Sequence, residues 1–152
     1  MAEVDAGLFT VGVFQDVTWA GRGIEALKER GFDAGDLTVI AKQSPEVDAF
    51  VKRALGRAGA AVDVKGLGPV VATGSMIDAL QGRDAALVAK GVAATMRRVG
   101  FQPHDGLIFE RLTERGGVLV AVDSEPRAAD ALAVLHAFGG GNAAIGAWRG
   151  RV

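Results

Sequence analysis

The chain contains no cysteine. Disulfide staples, thiolate metal sites, iron–sulfur clusters and cysteine nucleophiles are therefore excluded. Tyrosine is absent as well, and there are two histidines, His104 and His136. Histidine is the side chain best suited to proton transfer near neutral pH, so its scarcity narrows the available acid–base chemistry. Neither histidine has a second nitrogen ligand at helical i, i+4 spacing, and no metal or cofactor is expected. Charge of one sign is also missing: seventeen basic and eighteen acidic side chains leave a formal net charge of −1. That balance creates no field to draw in a phosphate backbone, so no nucleic-acid partner is expected. Long apolar runs are absent too. A membrane-spanning helix needs about 20 apolar residues, and the best stretch, 66–82, is interrupted by Asp78 and by glycines. Glu3 and Asp5 precede the first apolar run, where a signal peptide would be basic. The expectation is a cytoplasmic protein with no membrane partner.

What is present is a repeat. Apolar residues 11–14 run into Asp16, a helical stretch over 19–30, Gly31 and a second apolar run over 37–41. Near the other end, residues 119–122 run into Asp123, a helical stretch over 126–138, Gly139 and a run over 143–148. Each half reads as strand–helix–strand, with a polar residue at the passage into the helix and a glycine at its stop. Two such units interleave into one sheet when the last-but-one strand inserts between the first two. The predicted fold is therefore α+β: a ferredoxin-like split βαβ repeat, its antiparallel sheet carrying helices mainly on one face, with extra helices inserted in the middle. With 49% hydrophobic and 23% charged residues, a single domain over 1–152 can bury a proper core. Its parts are a βαβ unit over about 8–42, a helical insert over about 45–115 and a βαβ unit over about 117–149.

In the insert, Ser44-Pro45 opens a helix whose Val47, Phe50, Val51, Ala54, Leu55 and Ala58 form one apolar stripe. Residues 56–68 are glycine-marked and read as an internal boundary. Residues 69–73 read as a short strand at a sheet edge, because proline cannot donate to a ladder. A short helix over 75–80, a long one over 84–99 and another from Pro103 to the Gly116-Gly117 stop complete the insert.

The candidates for chemistry are few. The Gly66-Leu67-Gly68 turn begins like a dinucleotide fingerprint, but Val71 stands where its third glycine belongs and a strand follows, not a helix. Gly68, Thr73, Gly74 and Ser75 remain candidates for holding a small anion, because the short helix beginning there exposes free N–H groups. Ser75 lacks the following glycine of a nucleophile elbow, and Ser44 and Ser124 read as helix caps. Glu110 and Glu114 are one helical turn apart, but Arg111 and Arg115 beside them favour a solvated, charge-laced face. His104 sits at a helix start. An enzyme would have to use Glu110 or His104; no catalytic residue is assigned. The basic pairs Arg97-Arg98 and Arg149/Arg151 read as helix-end and tail residues. Trp19 and Trp148 are candidates for a subunit contact, where aromatics are enriched.

Three segments together resemble the bacterial general stress protein family, the heat-induced stress-protein (YflT-type) domain. They are residues 11–14 with Glu25-Ala26-Leu27 and 31–37; 68–74 with 76–80; and Val99-Gly100-Phe101, Pro103, Phe109-Glu110 and 115–122. Similar proteins carry a longer glycine- and alanine-rich tract before the second segment, and tyrosine where Phe109 stands. The resemblance implies a stress-associated domain without established catalytic residues. The functional expectation is a non-catalytic, homodimeric interaction or regulatory module. The alternative is a regulatory domain binding an anionic metabolite or nucleotide.

Overall fold

A computed structural model describes residues 9–124, 127–140 and 142–145. The chain is α+β. The first strand, β1 (Phe9–Phe14), is buried at every position. Asp16 then starts helix α1 (Val17–Glu29), its carboxylate accepting from the Trp19 N–H at 2.9 Å. Ala20, Gly23, Ile24 and Leu27 form the buried stripe of α1, and strand β2 (Leu37–Lys42) follows. Ser44 caps helix α2 (Pro45–Leu55) through the Val47 N–H at 3.1 Å, with Pro45 in the first turn where no N–H is missed. Strands β3 (Ala60–Val64) and β4 (Gly68–Thr73) form a hairpin. Helices α3 (Ser75–Gln81), α4 (Ala86–Lys90) and α5 (Val92–Thr95), a 3₁₀ turn (Met96–Val99) and helix α6 (Pro103–Glu114) come next. Strand β5 (Val118–Asp123), helix α7 (Ala128–Ala137) and the short strand β6 (Ala144–Ile145) close the described chain.

All six strands share one sheet in the order β3-β4-β2-β5-β1-β6, and every neighbouring pair is antiparallel. The expected insertion of the last-but-one strand is present: β5 lies between β1 and β2, with Val13 opposite Leu119 and Val120 opposite Val39. Because both its edges are paired and both its faces covered, β5 can be apolar at five consecutive positions, 118–122.

Side chains alternate across the sheet and feed two cores. On one face Phe14, Val39, Ala41, Val71, Val118, Val120 and Val122 meet the buried residues of α1, α2 and α7. On the other, Val11, Val13, Ile40, Val70, Leu119 and Ala121 meet Met76, Leu80, Leu87, Val92, Met96 and Phe109 from α3–α6. The expectation of helices mainly on one face is thus corrected. The insert's helices cover the second face, packing against β1, β2, β4 and β5.

Other expectations are corrected by the same packing. The insert 45–115 is not purely helical, because the glycine-marked stretch read as a boundary carries β3. Pro69 does not lie on the edge strand: β3 pairs outside β4 and β2 inside it. The proline is accommodated because it sits one residue beyond the last β2–β4 pair, Lys42–Val70, where its carbonyl still accepts from the Gln43 N–H at 3.1 Å. The long helix read over 84–99 is three short pieces: α4 begins only after Ala85, Gly91 separates it from α5, and α5 passes into the 3₁₀ turn at Met96. Asp123 does not repeat the capping role of Asp16. It is the last residue of β5 and pairs with Phe9. Ser124 is no cap for α7 either, since its buried hydroxyl meets that of Thr10 at 2.8 Å.

Candidate functional site

Among the described residues no buried side-chain polar atom lacks a hydrogen-bond partner. No group of three or more His, Asp or Glu side chains among them could hold a metal ion. Among the described residues, then, the interior offers no half-built polar site of the kind that awaits a ligand.

The residues singled out in the sequence do not converge. Gly68 and Thr73 stand at opposite ends of β4, roughly 17 Å apart for a strand of that length. The Thr73 hydroxyl accepts from Arg57 Nε at 3.1 Å, and the same guanidinium donates to the carbonyls of Ala34 and Leu37. Gly74 lies so close to Thr38 that a Cβ there would collide with the Thr38 hydroxyl and Cα. That hydroxyl accepts from the Met76 N–H at 3.0 Å, so β2 itself satisfies a free donor of the α3 N-terminus. Ser75 is exposed at the first position of α3.

Glu110 is engaged in holding helices together. Its Oε1 accepts from the Ala93 N–H at 2.9 Å, capping α5 from α6, and its carboxylate lies against Gly66 in the β3–β4 turn. Glu114 points elsewhere, 54% exposed and 4.0 Å from Lys42. His104 is 71% exposed, with Nε2 3.4 Å from Asp105 Oδ1. His136 is exposed, its Nε2 3.4 Å from the Ala143 carbonyl. Among the described residues neither histidine forms a hydrogen bond with Glu110. Trp19 is half-buried, packs against the first core and carries Arg22 over its ring at 5.1 Å. Trp148 lies outside the described residues.

The structure instead assembles an open cleft of about 800 Å³ beside β1, α3, α5 and the 3₁₀ turn. Phe9, Ala79, Ala94 and Val99 give it an apolar lining, and Lys90, Arg97 and Arg98 bring three cations to it. Thr95 is its one hydroxyl, and that hydroxyl donates to the Gly91 carbonyl at 2.8 Å. Arg98 is held by Asp84 through two hydrogen bonds of 3.2 and 3.0 Å. That pairing holds the Asp84 carboxyl below its ordinary range, with the nearby positive charge of Lys90 acting in the same direction.

Read along the sequence, Arg97-Arg98 was an ordinary helix end. A signal was nevertheless there: Lys90, Arg97 and Arg98 stand seven and eight residues apart, about two turns along one helical face. What no local pattern contained was Phe9, which β1 delivers from the far end of the chain to complete the apolar wall. No family model, curated protein or solved structure matches the chain.

Proposed function

We propose that the protein is a non-catalytic regulatory domain that binds a small anionic metabolite in the cleft beside Phe9. The observation that carries this reading is the lining itself. Three cations stand over an apolar wall, with no carboxylate, imidazole or uncommitted hydroxyl among the lining residues to act as base or nucleophile. Such a wall suits a ligand with a charged end and an apolar body. The order β2-β5-β1-β6 supports regarding the two βαβ units as a ferredoxin-like core and the cleft as the contribution of the insert. A place in the bacterial stress response is supported by the resemblance of the three sequence segments.

A thermal-shift screen of nucleotides, sugar phosphates, carboxylates and amino acids tests the reading. A ligand at a hundred times its Kd, bound only to the folded state, adds about 2.7 kcal/mol of stability. For a chain of this size that corresponds to roughly 5–10 °C in Tm. At least one anionic compound is expected to reach this range. A panel in which neutral or cationic compounds alone raise Tm would refute it.

A further inference from the structure

One of the three cations lining the cleft, Arg98, already holds a carboxylate of the protein's own, that of Asp84. Arg98 Nη1 and Nη2 donate to Asp84 Oδ1 and Oδ2, and Nη1 also approaches the Leu80 carbonyl at 3.4 Å. Two parallel N–H···O bonds are the fork by which a guanidinium recognises carboxylate and phosphate alike. Asp84 itself is 56% exposed, and an ion pair so placed contributes little to stability in water. It can be exchanged for a better anion at small cost.

Asp84 comes from the link 82–85 between α3 and α4, and that link is strained. Ala85 holds φ 52° and ψ 42°, a left-handed conformation disfavoured for any residue with a side chain. It is the one non-glycine residue with positive φ among the described residues. Gly82, at φ 57°, lies so near the guanidinium that a Cβ would collide with Arg98 Nη1. The link is thus held against Arg98, a residue of the cleft lining, with the Asp84–Arg98 pair as its tie.

We propose that Asp84 occupies the place of the ligand's anion, and that the ligand is an organic phosphate ester whose phosphate displaces Asp84 from Arg98 and releases the link 82–85. This inference rests on the cleft being the binding site. Phosphate is favoured over carboxylate because the cleft presents Lys90 and Arg97 besides the guanidinium that Asp84 already satisfies. A phosphate monoester brings nearly two negative charges and three strong acceptor oxygens to meet them. Its apolar group lies against Phe9 and Val99. The released link carries the signal, since it leaves a conformation that its own backbone disfavours.

Calorimetric titration of the full chain with phenyl phosphate, with inorganic phosphate as the comparison, tests the proposal. Phenyl phosphate is expected to bind more tightly, because inorganic phosphate leaves the apolar wall unfilled. Asp84→Asn removes the internal competitor and is expected to tighten phenyl phosphate binding about two- to fivefold. Lys90→Gln and Arg97→Gln are each expected to weaken it about three- to tenfold. Hydrogen exchange at amides 82–86 of the unmodified chain is expected to accelerate when phenyl phosphate is added. Unchanged or weaker binding by Asp84→Asn, or slower exchange at 82–86, overturns the displacement; if Lys90→Gln and Arg97→Gln still weaken binding, the cleft remains the site. Binding that ignores both of those variants overturns the cleft reading and the displacement together; no binding of phenyl phosphate overturns the phosphate-ester displacement, and the thermal-shift panel then decides the cleft reading on its own.

Discussion

Asp123 shows how one side chain can carry a pH dependence without taking part in chemistry. It ends β5 opposite Phe9, half-buried. Burial pushes its carboxyl above the ordinary range, and the negative charge of Asp36 pushes the same way. A carboxyl with a raised folded-state pKa is disfavoured as an anion by the fold. Its favourable contribution is present below the ordinary carboxylate range and is lost as pH rises through the raised value. Asp123→Asn is therefore expected to raise Tm at pH 7, with the gain over the parent chain vanishing near pH 3. Melting curves of both chains across that interval check the sign; an equal gain at both ends would remove titration as the cause. Nothing in the sequence marked this residue for that behaviour. The repeat likened it to Asp16, because both follow an apolar run, yet Asp16 caps a helix and Asp123 remains inside a ladder. The difference lies in what faces each carboxylate, and those partners are distant in sequence.

At the scale of elements, local signals carried most helix starts and stops. Ser44 with Pro45, and the opening of α6 at Pro103, lie where the residue types put them, because capping and proline geometry involve only near neighbours. The stretch 84–99 is where that logic failed. Its apolar periodicity is helical, but Gly91 interrupts it and Glu110 reaches from α6 to accept the Ala93 N–H. A tertiary acceptor thus replaces the helical one, which pattern alone does not reveal. Glu110→Ala is expected to cost about 1 kcal/mol, as the loss of a helix cap does. Glu110→Gln, which retains an acceptor oxygen, is expected to cost less. Urea unfolding of the two variants measures the difference. Equal losses would show that the carboxylate's charge, and not its acceptor geometry, joins α5 to α6.

At the scale of the whole molecule, one sheet separates two cores that it also links. Val39 and Ile40 are neighbours in β2, yet one enters the α1–α2–α7 core and the other the α3–α6 core; Leu119 and Val120 divide in the same way. Loss of packing on either face therefore disturbs the strands that serve the other. Phe50 and Phe109 are fully buried on opposite faces, Phe109 with its ring edge-on to Phe101 at 5.3 Å. Phe50→Ala and Phe109→Ala are each expected to destabilise by about 3–5 kcal/mol. Each should shift a single transition that coincides by far-UV circular dichroism and tryptophan fluorescence. Separate transitions in either variant would mean that the two faces melt independently. Among the described residues no helix is long and apolar enough to cross a membrane.

The sequence by itself determined what neighbours can enforce: the apolar runs of the central strands, the caps of α1 and α2 and the stripe of α2. Tertiary structure decided the rest. It made β3 and β4 a hairpin outside β2, set α3–α6 over the second face, broke the helix at Gly91 and brought Phe9 to the three cations of the cleft. Each of those outcomes depends on groups far apart in the chain meeting in space. A local pattern records which side chains can be buried, but not what will bury them.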